Sequence, residues 1–174
     1  MDNESQFQAV LQANSDRIYR VCCCYVRDEN ARQDVFQTVL LHLWESLETF
    51  QGGSQISTWI FRITVNTCLG YLRTQRREQR FLAEVSGQVE RAGVRVSPAS
   101  AETCATRDDI ERLYDCLQQL PPLDRMVVSL SLEEASTEEI ADVLGVSPGH
   151  ARVKVHRAKK ALREIWERTG DGLE

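Results

Sequence analysis

The densest positive charge in the sequence lies between Ser147 and Leu162, a segment with five Lys or Arg, two His and no carboxylate. The chain as a whole has a formal net charge of −5, so this positive charge is local. Solvent-exposed helix faces usually mix charges of both signs. A face of a single positive sign attracts the phosphates of a nucleic acid, and the segment therefore predicts a DNA-binding surface.

Helix-start and helix-stop signals surround this segment. The spacing of Ser136 and Glu139 predicts a capping box, in which each side chain bonds the other residue's backbone N–H. Gly145 suits the left-handed residue that ends a helix, and Ser147 followed by Pro148 suits the start of the next one. A short helix, a glycine turn and a second capped helix form a helix-turn-helix motif, whose second helix enters the DNA major groove.

The second helix of the motif separates apolar and basic residues onto opposite sides. Its inner face is predicted to consist of Ala151, Val155, Ala158, Leu162 and Ile165. Its outer side is predicted to consist of Arg152, His156, Lys159, Lys160 and Arg163, flanked by Val153 and Arg157. The nearby acidic residues are expected to lie away from the basic helix, and they are Glu133, Glu134, Glu138, Glu139 and Asp142.

A second basic surface is predicted between residues 58 and 80. On a helical wheel, Asn66 shares one stripe with four arginines, which are Arg62, Arg73, Arg77 and Arg80. A basic stripe follows phosphates, while Asn and aromatic side chains hold unstacked bases. Aromatic surface comes from Trp59, Phe61 and Tyr71, although a place in the core explains each of them equally well. One surface thus suits duplex DNA and the other an opened strand.

Helical periodicity covers most of the chain, and only 9 Gly and 4 Pro interrupt it. The predicted helices span about residues 5–27, 31–49, 57–80, 107–119, 122–131, 137–144 and 148–168. Residues 81–106 lack sustained periodicity and collect Gly, Ser, Ala and Pro98, which predicts a flexible linker. We therefore expect an all-α fold with two small helical domains, residues 1–80 and 107–174, joined by the linker 81–106.

Composition argues against several other classes of protein. No apolar run approaches the roughly 18 residues that a membrane span needs, and the acidic, polar N-terminus is unlike a signal peptide. The six Cys have no metal-ligand spacing and are best explained as buried, reduced thiols, with a zinc site or a redox switch as the minority alternative. We expect a cytoplasmic protein with no membrane insertion, no cofactor and no metal site.

An enzymatic function is the weaker alternative. A cysteine hydrolase would pair one of residues 22–24, or Cys68, with His42. The sequence contains no Ser/His/Asp or Cys/His arrangement and no Gly-rich phosphate loop, and His42 is better explained on a helix surface or interface. A pure interaction module would leave the basic helix unexplained. The sequence therefore predicts a protein that is not an enzyme.

Taken together, these motifs resemble a bacterial RNA polymerase sigma factor of the extracytoplasmic function (ECF) group, the smallest sigma-70-type class. Region 2 of that family is similar to residues 34–77, "DVFQTVLLHLWESLETFQGGSQISTWIFRITVNTCLGYLRTQRR". Region 4 is similar to residues 117–162, "LQQLPPLDRMVVSLSLEEASTEEIADVLGVSPGHARVKVHRAKKAL". The resemblance implies a factor that binds core polymerase, recognises the −35 and −10 promoter elements, assists promoter opening and is controlled by an anti-sigma factor.

The resemblance also implies a role for individual residues. Docking on the β′ clamp helices falls to Asp34, Gln37, Leu41 and Trp44, and region 4 docks on the β flap. Contacts with the −10 element fall to Phe50, Trp59, Arg62, Asn66, Arg73, Arg76 and Arg77. Contacts with the −35 element fall to Arg152, Val153, Lys154, His156, Arg157 and Lys160. Gly70 stands where the family often has Asp, so an unusual −10 preference is expected.

The main alternative is a stand-alone helix-turn-helix regulator whose N-terminal half senses a ligand or dimerises. Such a protein would need no polymerase and would bind a palindromic duplex. The arginine stripe of residues 62–80 and the absence of any ligand-pocket signal in the sequence favour the sigma-factor interpretation.

Overall fold

The computed structural model describes residues 3–50, 52, 55–86 and 105–170 of the chain. Within these ranges the regular structure consists of seven helices and no strand, which confirms the all-α prediction. The helices are α1 (Asn3–Tyr25), α2 (Glu29–Leu47), α3 (Ile56–Ser86), α4 (Ala105–Gln119), α5 (Pro122–Leu132), α6 (Thr137–Leu144) and α7 (Pro148–Gly170). Among them, none has the length and apolar content required to pass through a lipid bilayer.

The first three helices pack against one another and form an N-terminal unit. Asp28 starts α2, because its side chain accepts a hydrogen bond from the Ala31 amide at 2.8 Å. One side of α2 is buried at every fourth position, which places its apolar residues in a single stripe. That stripe consists of Val35, Val39, Leu43 and Leu47.

The last four helices form a C-terminal unit that contains the predicted helix-turn-helix. The capping box is present, since the Glu139 amide donates to Ser136 Oγ at 3.1 Å and the Ser136 amide donates to Glu139 Oε2 at 2.8 Å. Gly145 ends α6 with φ 66° and ψ 37°, the left-handed conformation that glycine adopts without strain. Ala151 and Ala158 of α7 are fully buried beneath the motif.

Two predicted boundaries differ from the structure. Residues 81–86, which we assigned to the linker, continue α3, and residues 105–106 already belong to α4. Apolar periodicity does not extend to residues 81–82, because the side chains of Phe81 and Leu82 are 65% and 64% exposed and add nothing to a buried face. Residues 87–104, the remainder of the predicted linker, lie outside the described residues.

The two units contact each other directly. α1 packs against α4 and α5, while α3 packs against α5 and α6. A cleft of about 700 Å³ separates the end of α1 and the later turns of α3 from α4 and α5. One ion pair crosses it, between Arg27 Nη2 and Asp115 Oδ1 at 2.9 Å. The sequence predicted two bodies and did not predict this contact between them.

The cysteines that the structure describes are free and buried, as predicted. Cys22 and Cys68 lie 4.0 Å apart between their sulfur atoms, inside the N-terminal unit. Burial raises the pKa of the Cys24 thiol to about 12, and Cys22 raises the pKa of Cys68 through a hydrogen bond. Cys24 and Cys68 therefore pack as small apolar groups and carry little thiolate near neutral pH. Cys104 lies outside the described residues.

Candidate nucleic-acid interface

The recognition face of α7 is defined by the six predicted duplex contacts at residues 152–160. Burial of Ala151 and Ala158 turns the opposite side of the helix outward. The α7 N-terminus is held by Ser147, whose Oγ accepts from the His150 amide at 3.4 Å. Lys154 of this face is partly buried. The remaining five residues are exposed, and they are Arg152, Val153, His156, Arg157 and Lys160.

The positive charges of this face are available to a ligand. Lys160 forms an exposed ion pair with Glu164 at 3.8 Å, an i,i+4 contact of a kind that contributes only about 0.3–0.5 kcal/mol. Arg152, Lys154 and Arg157 form no ion pair with any described residue. Phosphates therefore meet a surface whose charge is not already neutralised by the protein itself.

The basic ridge on α3 consists of Arg62, Asn66, Arg73, Arg77 and Arg80, and all five side chains are exposed. A single 31-residue helix carries them, which fixes their spacing. From Arg62 to Arg80 the ridge extends about 27 Å, at 1.5 Å per residue. Arg76, also predicted to contact the −10 element, is exposed like the ridge residues and in addition lines the cleft between the two units.

An aromatic pair joins the end of α2 to the start of α3. The ring centroids of Phe50 and Trp59 lie 4.9 Å apart with their planes tilted by 39°. Both residues are partly buried, and Trp59 packs against the hydrophobic core. Phe61 is 3% exposed, so a place in the core is the correct interpretation for Phe61. Thr58, beside Trp59, is fully buried and anchors the start of α3. The pair holds the two ends of the 50–59 segment together at one end of the basic ridge.

Asn66 lines a second cleft, of about 620 Å³, between α2 and α3. His42, predicted to lie on a helix surface, is exposed at this cleft, and its Nδ1 lies 3.0 Å from Thr67 Oγ1. Asp34 also lines the cleft, which places a predicted polymerase contact beside a predicted −10 contact. Gly70 also lines this cleft, and the space beside it is empty, because a Cβ at that position would meet no atom within 4 Å. The sequence did not predict that His42 and Thr67 line the same cleft as Asn66.

The outer face of α2 carries the predicted polymerase contacts. Asp34 and Gln37 are exposed, and so are the apolar side chains of Leu41 (54%) and Trp44 (40%). Trp44 packs edge-on against Phe7, with ring centroids 5.0 Å apart and planes at 77°. Clustered apolar exposure of this kind marks protein interaction sites.

Two family models match the chain, one on the N-terminal unit and one on the C-terminal unit. Sigma-70 region 2 matches residues 10–78, and Sigma-70 region 4 matches residues 110–162. The RNA polymerase sigma-E factor of Streptomyces coelicolor is 32% identical over 162 residues, covering 91% of this chain and 85% of the relative. The chain belongs to the ECF group of the sigma-70 family. From here on, α1–α3 are called region 2 and α4–α7 region 4.

Other relatives and two solved structures are similar along nearly the whole sigma factor. The sigma-H factor of Pseudomonas aeruginosa is 31% identical over 161 residues, covering 90% of this chain and 83% of the relative. RpoE of Bartonella quintana, solved with the anti-sigma factor NepR, has a TM-score of 0.65 at 21% identity and covers 94% of this chain and 96% of its own. CnrH, solved with the cytosolic domain of CnrY, has a TM-score of 0.66 at 20% identity, with 95% and 90% covered. The two structures show a shared fold.

Region 4 of this sigma factor contacts one end of the basic ridge. Arg62 Nη2 donates a hydrogen bond to the backbone carbonyl of Asp142, and Ser57 Oγ donates to Glu139 Oε1 at 2.7 Å. The five ridge side chains are all exposed, and the Arg62 guanidinium is in addition engaged by α6. Sequence reasoning missed this contact because its partners are about 80 residues apart and no local spacing signals them.

Proposed function

We propose that this sigma factor binds core RNA polymerase, recognises the −35 and −10 promoter elements and assists promoter opening for transcription initiation. One observation carries the proposal: regions 2 and 4 each present a separate, exposed cationic surface to solvent. A regulator of duplex DNA alone requires only the surface on α7. The ridge on α3, with its asparagine and adjoining aromatic pair, is suited to a single strand.

Recognition of the −35 element is assigned to the recognition face of α7. Exposed Arg and Lys side chains contact phosphates and the acceptor atoms of guanine in the major groove, while exposed Val153 offers an apolar contact to a thymine methyl group. Lys154, being partly buried, is better placed for phosphate contact through the end of its side chain.

Recognition of the −10 element is assigned to the basic ridge, Phe50, Trp59 and the cleft at Asn66. The arginines follow the backbone of the opened strand, and the Asn66 amide bonds the edge of an unstacked base. Arg76, which is exposed and also lines the cleft between the two regions, is assigned a contact with the backbone of the same strand.

Docking on polymerase is assigned to Asp34, Gln37, Leu41 and Trp44 for the β′ clamp helices and to region 4 for the β flap. The exposure of Leu41 and Trp44 supports the first assignment. An anti-sigma factor is the expected regulatory partner, because the two solved neighbours are complexes of sigma factors with anti-sigma factors. We infer that the factor acts in the cytoplasm, where its polymerase is found.

The proposal is tested by transcription with core polymerase and the purified factor, followed by sequencing of the RNA 5′ ends to define the promoter. We expect Arg152→Ala to reduce transcription about tenfold, since one DNA contact contributes roughly 1–3 kcal/mol. The matched control is Arg168→Ala, which removes the same charge from the far end of α7. Asn66→Ala should impair opening while leaving the melting temperature unchanged, because Asn66 is exposed.

The test separates the proposal from its alternative. A factor that fails to associate with core polymerase but binds a palindromic duplex would be a stand-alone regulator. An Asn66→Ala variant that unfolds region 2 would remove the support for a base-binding role.

A further inference from the structure

Glu133 lies at the centre of the contact between region 2 and region 4. Its side chain is only 8% exposed, and it accepts two hydrogen bonds from Arg20, Nε to Oε1 at 2.6 Å and Nη2 to Oε2 at 2.7 Å. Arg17 adds a hydrogen bond from Nη2 to the Glu133 carbonyl at 2.5 Å, and its Nε lies 3.5 Å from Oε2. Paired bonds from a planar guanidinium to a carboxylate are strong and fix the relative orientation of the two groups.

A second set of bonds lies between α3 and α6. It consists of the Ser57–Glu139 and Arg62–Asp142 hydrogen bonds described above. The guanidinium carbon of Arg17 also lies 5.0 Å from the centre of the Phe61 ring, which connects the two sets. In these two sets of bonds, region 4 presents carboxylate and carbonyl oxygens to Arg17, Arg20 and Arg62 of region 2.

The backbone at this contact is also unusual. Glu134, which follows Glu133, has φ 59° although it is not a glycine. Residues other than Gly, Asn and Asp rarely adopt this left-handed conformation. The end of α5 accounts for this conformation, because the Glu134 amide donates to the Ser131 carbonyl at 3.3 Å and the Ala135 amide donates to the Leu130 carbonyl at 3.1 Å, the hydrogen bonds of a left-handed helix C-terminus.

We propose that Glu133, Arg17 and Arg20 form a latch that closes region 4 onto region 2 and keeps Arg62 from DNA in the free factor. This inference rests on the proposed function, because it concerns regulation of the same DNA-binding surface. The acceptor that region 4 supplies to Arg62 is an oxygen atom, as is that of a DNA phosphate, so the two compete for the same guanidinium group.

The two arginines of the latch are partly exposed to solvent, which favours its opening. The side chain of Arg20 is 50% exposed and that of Arg17 is 32% exposed, so water replaces their partner at low cost when the regions separate. Core polymerase and promoter DNA, which need the two regions apart, then shift the population toward the open form.

Small-angle X-ray scattering of the full chain tests closure. A compact chain of this length has a radius of gyration of about 16 Å, and we expect the wild-type factor to lie near this value. Glu133→Gln and Arg20→Gln should both increase it. Glu138→Gln is the matched control, because Glu138 is an exposed carboxylate on α6 that makes no bond across the contact. Circular dichroism confirms that each variant remains helical.

Binding of a fluorescein-labelled single-stranded DNA of random sequence tests occlusion. We expect Arg20→Gln to bind at least about threefold more tightly than wild type, because a larger fraction of the factor is open. Loss of a positive charge would by itself weaken binding, so an increase cannot come from charge alone. Adding Arg62→Ala to Arg20→Gln should remove the gain.

A wild-type factor that is already extended would overturn the latch, as would Glu133→Gln and Arg20→Gln variants that scatter and bind DNA like wild type. If the wild-type factor supports transcription in that case, the proposed function stands and only the latch fails. If the wild-type factor does not support transcription with core polymerase, the proposed function fails and the regulatory role of the latch fails with it.

Discussion

At the scale of single residues, Glu139 couples the fold of region 4 to its contact with region 2. One oxygen accepts from Ser57 Oγ and the other from the Ser136 amide. These two hydrogen bonds, the one from Ser57 first, lower the pKa of Glu139 below its ordinary value. A carboxyl group whose pKa is lower in the folded state stabilises that state above its unfolded pKa of about 4.3. The stabilisation is lost as the pH falls through the lower folded value.

Ser57→Ala should therefore lower the melting temperature at neutral pH and have little effect at a pH where Glu139 is protonated. The melting curves of wild type and variant, followed by circular dichroism from neutral to acid pH, should converge at the acid end. Ser131→Ala is a suitable control, because the Ser131 hydroxyl contacts no carboxylate among the described residues. A difference that stays constant with pH would contradict this role of Glu139.

The sequence predicted part of this arrangement. The reciprocal bonds of Ser136 and Glu139 follow from a spacing of three residues, which local rules recognise. The bond from Ser57 joins residues 82 positions apart, and that from Arg20 to Glu133 joins residues 113 apart. Glu133 and Glu139 were predicted only to lie away from the basic helix, because pairing between distant elements depends on how those elements pack.

At the scale of elements, the turn between α6 and α7 depends on glycine. Gly145 has φ 66°, and a Cβ there would meet no atom within 4 Å, so the cost of a side chain is conformational rather than steric. Gly145→Ala should destabilise the fold by roughly 1 kcal/mol, measured by urea unfolding. Gly149→Ala is the matched control, since Gly149 lies within α7 with equal space around it. That change should stabilise by up to about 1 kcal/mol, and equal effects would contradict the argument.

Helix positions were predictable where a helix buries one face. The α6 and α7 boundaries follow from Ser136, Gly145 and Pro148, and the α2 stripe follows from apolar spacing. The end of α3 was predicted too early, because Phe81 and Leu82 are helical without being buried. Apolar periodicity arises from burial of one helix face, so helical residues whose apolar side chains are exposed do not contribute to it.

At the scale of the whole molecule, the contact between regions 2 and 4 was not predictable from composition or pattern. Part of the contact consists of hydrogen-bonded polar pairs. The two units that it joins each possess buried apolar residues of their own. An arginine that bonds a distant glutamate looks the same in the sequence as one that is free to bind DNA. The candidate nucleic-acid residues were found because α3 and α7 set their spacing, while the engagement of Arg62 needed the structure.

The net charge of −5 and the closed arrangement both predict that the free factor binds promoter DNA weakly. Core polymerase should strengthen specific binding by at least about tenfold, because it opens the factor and adds its own contacts. Fluorescence anisotropy measures this gain in specific binding, with a promoter duplex and a scrambled duplex as the two DNA ligands. Each duplex is titrated at two salt concentrations with the factor alone, with core polymerase alone and with both together. The preference for promoter should require both components, since core supplies affinity and the faces on α3 and α7 supply sequence recognition. Tight, specific binding by the free factor at physiological salt would contradict both the charge argument and the closed arrangement.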